Sequence, residues 1–256
     1  MEYIAASSTN VGISKKTNQD SSLVEIAELK GEKYVLGVMC DGMGGLAKGE
    51  VASRHVIDAF DRWFSSDFVR LIREGFTPAR LQTSWLALVR KCNEEIVAYS
   101  AKMDGVNMGT TCSALLIVGS SYYILNVGDS RIYLLDSNLY QLTHDQSFVQ
   151  REIDAGRMTP EQAAASEYSS VLLQCIGVND YVSPDFYTGE VHPGQTFLLC
   201  CDGFRHVITP AEIHAYLNPK TVNSVEEMQE NLDYLVNLNM RRNERDNISA
   251  SLIKVM

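Results

Sequence analysis

Three aspartates stand at the ends of apolar runs. Val38-Met39-Cys40 leads into Asp41-Gly42, Phe197-Leu198-Leu199-Cys200-Cys201 leads into Asp202-Gly203, and Asp246 opens the last apolar segment as Asp246-Asn247-Ile248. Each run reads as a buried strand, which puts each aspartate on the rim of a sheet. Carboxylates gathered at one rim repel one another, and one or more takes up a proton unless cations lie among them. The pattern points to a site for hard metal ions, and such a site points to hydrolysis. Taken alone, Asp41-Gly42-Met43-Gly44-Gly45 reads first as a strand-to-helix turn, with glycines for positive φ and Asp41 as a cap. The functional reading has the Asp41 carboxylate bridging two ions and the Gly42 carbonyl serving one. Asp202-Gly203 and Gly128-Asp129-Ser130-Arg131 are ordinary turns by themselves, and Asp246-Asn247 says little. The joint order on matching strand ends changes the balance.

The elements that must position these residues are legible as patterns. Strand-like segments cover 22–29, 34–40, 111–118, 121–127, 131–135, 186–191, 196–201 and 247–254. Gly119-Ser120 signals a hairpin, and Gly128-Asp129-Ser130 a second tight return, so the sheets are expected to be largely antiparallel. Two helices are predicted between the early strands and this meander. In 48–65 the apolar face is Ala52, Val56, Ala59, Phe60 and Trp63; in 78–102 it is Leu81, Trp85, Leu88, Cys92, Ile96 and Tyr99. Both tryptophans are expected to anchor the core. Three further helix starts carry capping-box patterns, Thr159-Pro160-Glu161-Gln162, Thr209-Pro210-Ala211-Glu212 and Ser224-Val225-Glu226-Glu227. Antiparallel strand groups with helices in blocks make an α+β fold, two packed sheets with helices outside.

A chain of 256 residues, 45% of them hydrophobic, with no linker or repeat, fits one domain with a full core. The net charge of −10 comes without a basic stripe and argues against nucleic acid as a partner. That field does nothing to attract a phosphorylated substrate, so local positive charge must. The six cysteines show no Cys-x-x-Cys spacing and read as reduced core residues of a cytoplasmic protein. The start of the chain does not read as a leader, and no apolar run is long enough to span a membrane.

The chain resembles the metal-dependent protein serine/threonine phosphatases, the type 2C protein phosphatases, in their compact bacterial form. The resemblance runs from Gly12-Ile13-Ser14-Lys15-Lys16-Thr17-Asn18-Gln19-Asp20 through Asp41-Gly42-Met43-Gly44-Gly45, Gly109-Thr110-Thr111, Gly128-Asp129-Ser130-Arg131, Leu142-Thr143-His144-Asp145-Gln146-Ser147 and Cys201-Asp202-Gly203 to Asp246-Asn247-Ile248-Ser249. It implies a four-layer α-β-β-α sandwich, two mainly antiparallel sheets flanked by helix pairs. It also implies a single catalytic domain over 1–256 with a flap over 145–180. By resemblance Asp41 bridges two Mn²⁺ or Mg²⁺ ions, Asp202 and Asp246 complete one, the Gly42 carbonyl serves the other, and Asp20 and Gln19 act through water. Oxygen-only coordination suits these hard ions and not zinc. The implied reaction is in-line attack by metal-activated water on phosphoserine or phosphothreonine, without a phosphoenzyme.

Several positions depart from the family pattern. Lys15 stands where relatives often carry a phosphate-binding Arg, and offers a point charge in place of a planar fork. Gln19 stands where Glu is common and lacks its charge. Met43 stands where many relatives have a His assigned as general acid, so the leaving group must be protonated otherwise. Some bacterial relatives bind a third ion through an extra aspartate; Asp104 is the nearest carboxylate, and a solvated helix-end Asp is the competing reading. The five histidines show no ligand spacing, and His206 reads as a surface or supporting residue. The resulting expectation is a monomeric phosphatase acting on phosphorylated proteins and opposing a cognate Ser/Thr kinase. Two alternatives stay open: a pseudophosphatase that serves as a binding module, and a phosphatase for small-molecule phosphates.

Overall fold

The computed structural model describes residues 1–43, 48–103 and 107–256. Gly44, Gly45 and Asp104 lie outside the described residues. In chain order the elements are β1 (Tyr3–Asn10), β2 (Ser21–Leu29), β3 (Glu32–Cys40), α1 (Gly49–Trp63), a π-helical turn (Phe64–Phe68), α2 (Val69–Glu74) and α3 (Pro78–Lys102). Then follow β4 (Cys112–Val118), β5 (Ser121–Val127), β6 (Arg131–Leu135), β7 (Leu139–Gln141), α4 (Phe148–Asp154) and α5 (Pro160–Ala164). The chain ends with β8 (Asp185–Glu190), β9 (Thr196–Cys200), α6 (Pro210–Leu217), α7 (Val225–Arg241) and β10 (Ile248–Val255).

The strands form two five-stranded sheets, β1-β10-β9-β6-β7 and β2-β3-β4-β5-β8, with antiparallel pairing throughout. Their facing sides bury Val35, Met39, Leu115, Ile132, Leu199 and Ile253. The outer face of the β3 sheet packs under α1 to α3 through Phe60, Trp63, Trp85 and Ile96, and the outer face of the β10 sheet under α6 and α7 through Ile213, Leu217, Leu232 and Leu235. This is the expected α-β-β-α sandwich. Both tryptophans are core anchors, 5.7 Å apart by ring centroid. All six cysteines are free and buried.

Four local expectations are revised. Gly128-Asp129-Ser130 is not a hairpin within one sheet: β5 pairs with β4 and β8, whereas β6 pairs with β7 and β9, so the turn crosses between sheets. Two apolar strands around a short turn look the same in sequence whether they pair or cross over. On α3 the buried face runs Leu81, Trp85, Val89, Cys92, Ile96 and Ser100, while Tyr99 is exposed. The helix keeps a 3.6-residue period over seven turns, and the stripe drifts one position away from Leu88 and Tyr99. Beyond α1 the backbone widens into the π turn, which lets Phe64 and Phe68 both point inward and stack at 5.1 Å. At α7, Ser224 caps the Glu227 amide, but the Glu227 carboxylate accepts from the Asn223 N–H, so the reciprocal half of the box is displaced by one residue. Thr159 and Thr209 form complete capping boxes.

Candidate active site

The three strand-end aspartates converge. β9 and β10 are antiparallel neighbours, so Asp202, just past the end of β9, and Asp246, just before β10, emerge at the same edge. Gly203 marks the closeness of these loops: a Cβ there would lie 2.1 Å from the Asn247 carbonyl oxygen. Asp41 arrives from the other sheet at the end of β3. Asp20 sits beside it, because Ser21 pairs with Cys40 in register. The Asp41 backbone is held from both sides. Its N–H donates to Thr111 Oγ1 at 2.9 Å, and its carbonyl accepts from the Thr111 N–H and from Thr110 Oγ1, both at 2.9 Å. Thr111 Oγ1 also lies 2.7 Å from Ser130 Oγ. Gly109-Thr110-Thr111 and Gly128-Asp129-Ser130 thus form a clamp that fixes the aspartate while leaving its carboxylate free.

Three of the carboxylate oxygens have no partner among the described residues. Both oxygens of Asp20 and Oδ1 of Asp202 are buried without a hydrogen-bond partner. Burial raises the Asp41 pKa well above its ordinary range, and the charges of Asp20, Asp202, Asp129 and Asp246 add to the effect. Burial likewise brings Asp20 up to about 7, against the pull of nearby Ser249 and Cys201. Asp129 is also brought up to about 7, by burial first and then by Asp202, with Arg205 acting the other way. Orphaned acceptors and mutual repulsion are what bound cations relieve. The donor set therefore fits Mn²⁺ or Mg²⁺. Cys201 Sγ lies within 4.8 Å of ligand atoms on Asp20 and Asp41. Burial holds that thiol protonated, and it is engaged with the Ser249 N–H at 3.1 Å, so hard-ion binding falls to the oxygens.

These shifts give the metal-free protein a pH dependence of definite sign. Between the ordinary carboxylate pKa and about 7, folded Asp20 and Asp129 hold protons that the unfolded chain has already lost. Raising pH through this window therefore costs stability. In EDTA, Tm is expected to fall from pH 5 to pH 8, and saturating Mn²⁺ to recover most of the loss at pH 8. A flat profile in EDTA would mean that folded Asp20 and Asp129 hold no protons that the unfolded chain has lost.

Asp41, Asp202, Asp246, Asp129, Lys15 and Met43 line one cleft of about 570 Å³. Lys15 Nζ lies 2.8 Å from Asp246 Oδ1. Burial opposes its charge, but the Asp246 contact and the fields of Asp41 and Asp202 prevail and raise its pKa. The Lys15 loop crosses directly over Asp246: Gly12 has φ 76°, and a Cβ there would lie 2.2 Å from the Asp246 carbonyl oxygen. Ser170, Leu172, Cys175, Val178 and Asn179 of the 145–180 segment form the opposite wall. The return of that segment is tied to α3, where Asn93 Oδ1 accepts from the Gly177 N–H at 2.7 Å and Asn93 Nδ2 donates to the Asn179 carbonyl at 2.8 Å.

Other predicted residues are placed differently. The Gln19 side chain turns toward the first turn of α1, where Nε2 donates to Glu50 at 3.3 Å, and it is not part of the cleft lining. Gly42 is wedged by protein backbone, with a Cβ there 2.5 Å from the carbonyl oxygens of both Gln19 and Gly49, which is sufficient reason for glycine. His206 is drawn into the site: Nε2 lies 3.4 Å from Asp202 Oδ2 and Nδ1 3.4 Å from Glu244 Oε2. Asp129 is the carboxylate that sequence reasoning left without a role. It too follows an apolar strand, Tyr122 to Val127, which is the signal that singled out Asp41 and Asp202.

The comparisons with known proteins agree with this geometry. The family model described as Protein phosphatase 2C matches residues 13–255. A putative protein phosphatase 2C-type of Streptococcus pyogenes is 32% identical over 248 residues, covering 96% of this chain and 94% of its own. Among solved structures, serine/threonine phosphatase Stp1 from Staphylococcus aureus superposes with a TM-score of 0.85 at 27% identity, over 100% of this chain and 96% of that one. The catalytic domain of serine threonine protein phosphatase PstP, solved with two manganese ions, gives a TM-score of 0.79 at 30% identity, with 99% of each chain covered. A sandwich whose rim collects several buried carboxylates around a cleft is the architecture of a metal-dependent phosphatase. The chain belongs to the protein phosphatase 2C family.

Proposed function

We propose that this protein hydrolyses phosphoserine and phosphothreonine in proteins, with two Mn²⁺ or Mg²⁺ ions held by Asp41, Asp202, Asp246 and the Gly42 carbonyl, and with Asp20 supporting them. The observation that carries this reading is the convergence of Asp41, Asp202 and Asp246 in one cleft beside Lys15, with a ligand atom of Asp20 within 4.8 Å of one on Asp41 and, among the described residues, three buried oxygens of Asp20 and Asp202 without a hydrogen-bond partner. Ions bound there supply Lewis-acid charge and a water of lowered pKa. Lys15 meets the phosphate as a point charge and orients it. The Thr110–Thr111 clamp keeps Asp41 aimed while the charge around it changes. Met43 and Leu172 give the cleft an apolar side that excludes water from the leaving group. The residues 1–256 act as one catalytic domain, a monomer, with 145–180 as the flap over the cleft. Its partners are phosphoproteins and a cytoplasmic Ser/Thr kinase whose products it reverses. Among the described residues no helix is long and apolar enough to cross a membrane.

Phosphate release from a phosphothreonine peptide, with Mn²⁺, with Mg²⁺ and with EDTA, beside Asp202→Ala, tests the reading. Turnover lost in EDTA and in the variant is expected. A folded protein that binds the peptide without turnover would be the binding module, and turnover confined to small metabolites would move the substrate class. Lys15→Ala is expected to raise KM about tenfold with a smaller change in kcat, as for a contact made in both ground and transition states. An unchanged KM would remove Lys15 from the phosphate.

A further inference from the structure

A second cavity, of about 620 Å³, lies beside the carboxylate cleft and shares Asp129 with it as a wall. Its core side is Arg131, Asp145, Arg205 and His206, and its flap side is α4 and α5, including Gln150 and Ala163. In a chain of net charge −10, three basic side chains face this one space, against the carboxylates of Asp129 and Asp145. All three nitrogens of Arg131 are engaged. Its Nε and Nη2 donate to the two oxygens of Asp145 at 2.8 and 2.7 Å, and Nη1 donates to the Tyr133 hydroxyl at 2.9 Å. Asp145 is neutralised by that bidentate pair.

Arg205 is not. Every hydrogen bond it makes among the described residues goes through Nη2, to the Asp129 carbonyl at 3.0 Å and to Asp145 Oδ2 at 3.5 Å. The Asp129 carboxylate also stands 3.5 Å from Nη2, and Nε is buried with no acceptor. A guanidinium carries five N–H donors in a planar fork that matches carboxylate and phosphate, and one held largely out of water that bonds to protein through only one of its three nitrogens is poorly compensated.

We propose that this cavity is a second anion subsite of the substrate, taking the carboxylate of an acidic residue that flanks the phosphorylated one, with Arg205 as the residue that recognises it. The proposal rests on the phosphatase reading above. The shared Asp129 wall makes the two cavities neighbours, and an extended peptide advances only about 3.3 Å per residue. A chain with its phosphate in the cleft therefore brings the next few side chains to the second cavity. The occupant is the substrate's own acid, not a free anion.

The test uses phosphothreonine peptides in which a single glutamate is moved through the three positions on either side of the phosphorylated residue, against the all-neutral peptide. The readout is the ratio of kcat/KM within each protein, so that a general loss of activity cancels. The native protein is expected to favour glutamate at one position about tenfold, as a charge-assisted hydrogen bond supplies. Arg205→Leu is expected to erase the ratio, and Arg205→Lys to keep part of it. Turnover with no positional preference, or a preference that survives Arg205→Leu, overturns the subsite and leaves the phosphatase reading standing. No turnover with any peptide ends that reading, and the subsite with it. Free glutarate that alters turnover of the neutral peptide only when Arg205 is present, with no positional preference, would assign the cavity to a free anion and overturn the substrate assignment.

Discussion

Asp41→Asn is expected to lower kcat/KM toward a phosphothreonine peptide by about a thousandfold or more, and to weaken Mn²⁺ binding by calorimetry in the same protein. Asp41 is the carboxylate that feels all the others: Asp20, Asp202, Asp129 and Asp246 each push its pKa upward. The same centrality makes its negative charge the one shared most widely by any cations held in the cleft. Asparagine preserves the side chain's shape and one acceptor oxygen, so what is lost is charge. Its backbone does not depend on that charge, because Thr110 and Thr111 hold the Asp41 amide and carbonyl directly. The variant is therefore expected to fold, and the loss can be assigned to the site. Removing a Lewis-acid centre that stabilises phosphoryl charge costs several kcal/mol of barrier, and about 4 kcal/mol corresponds to the thousandfold expected. Retained metal-dependent turnover in Asp41→Asn would sink the assignment.

The difference between what the sequence disclosed and what needed coordinates follows from where each signal resides. Strands β3 and β9 read as apolar runs up to their C-terminal ends, and β10 is buried throughout although Ser249, Ser251 and Lys254 interrupt its pattern, so the strand ends that carry the aspartates could be located within a residue. β1 could not. Ser7, Ser8 and Thr9 make it look like a polar approach to the first motif, but as an edge strand it presents them to Ser251, Asp233 and Ser249. β7 and α4 are too short to build a period, and their identity comes from packing onto β6 and from the Ser147 cap. At the site, residue type at strand ends identified Asp41, Asp202 and Asp246, and the family resemblance identified Lys15; the fold does bring them together. Type could not separate roles that depend on direction. Gln19 faces α1, and His206, without any ligand spacing, is placed between Asp202 and Glu244 by the turn after β9. Asp129 was hidden by its own motif. A Gly-Asp-Ser turn between two apolar strands reads as a hairpin, and only the crossover between sheets turns that aspartate toward Asp202.

Saturating Mn²⁺ is expected to raise Tm of the native protein by about 5–11 °C, and the metal-free Asp41→Asn variant is expected to melt above the metal-free native protein. The first figure follows from linkage. An ion at a hundred times its Kd stabilises by about 2.7 kcal/mol, and in a chain of this size each kcal/mol moves Tm by about 2–4 °C. The second expectation follows from the same electrostatics read in reverse. Without cations the rim buries several carboxylates that cannot all ionise, and Asp20 and Asp129 are brought up to about 7 as a result. Replacing Asp41 by a neutral isostere removes a carboxyl that must hold a proton well above its ordinary pKa to stay buried among Asp20, Asp202, Asp129 and Asp246. The metal-free fold should then gain stability while losing most of its response to Mn²⁺. The two shifts separate explanations that activity alone cannot. A site built for stability would lose Tm on Asp41→Asn with or without metal. A site in which fold stability is spent on holding ions must show opposite signs: destabilised relative to the variant when empty, and stabilised well past it when loaded. Both melts run in EDTA and in Mn²⁺ decide it, and an Asp41→Asn protein that melts lower than the native one in EDTA would show that the clamp, not the charge, governs this rim.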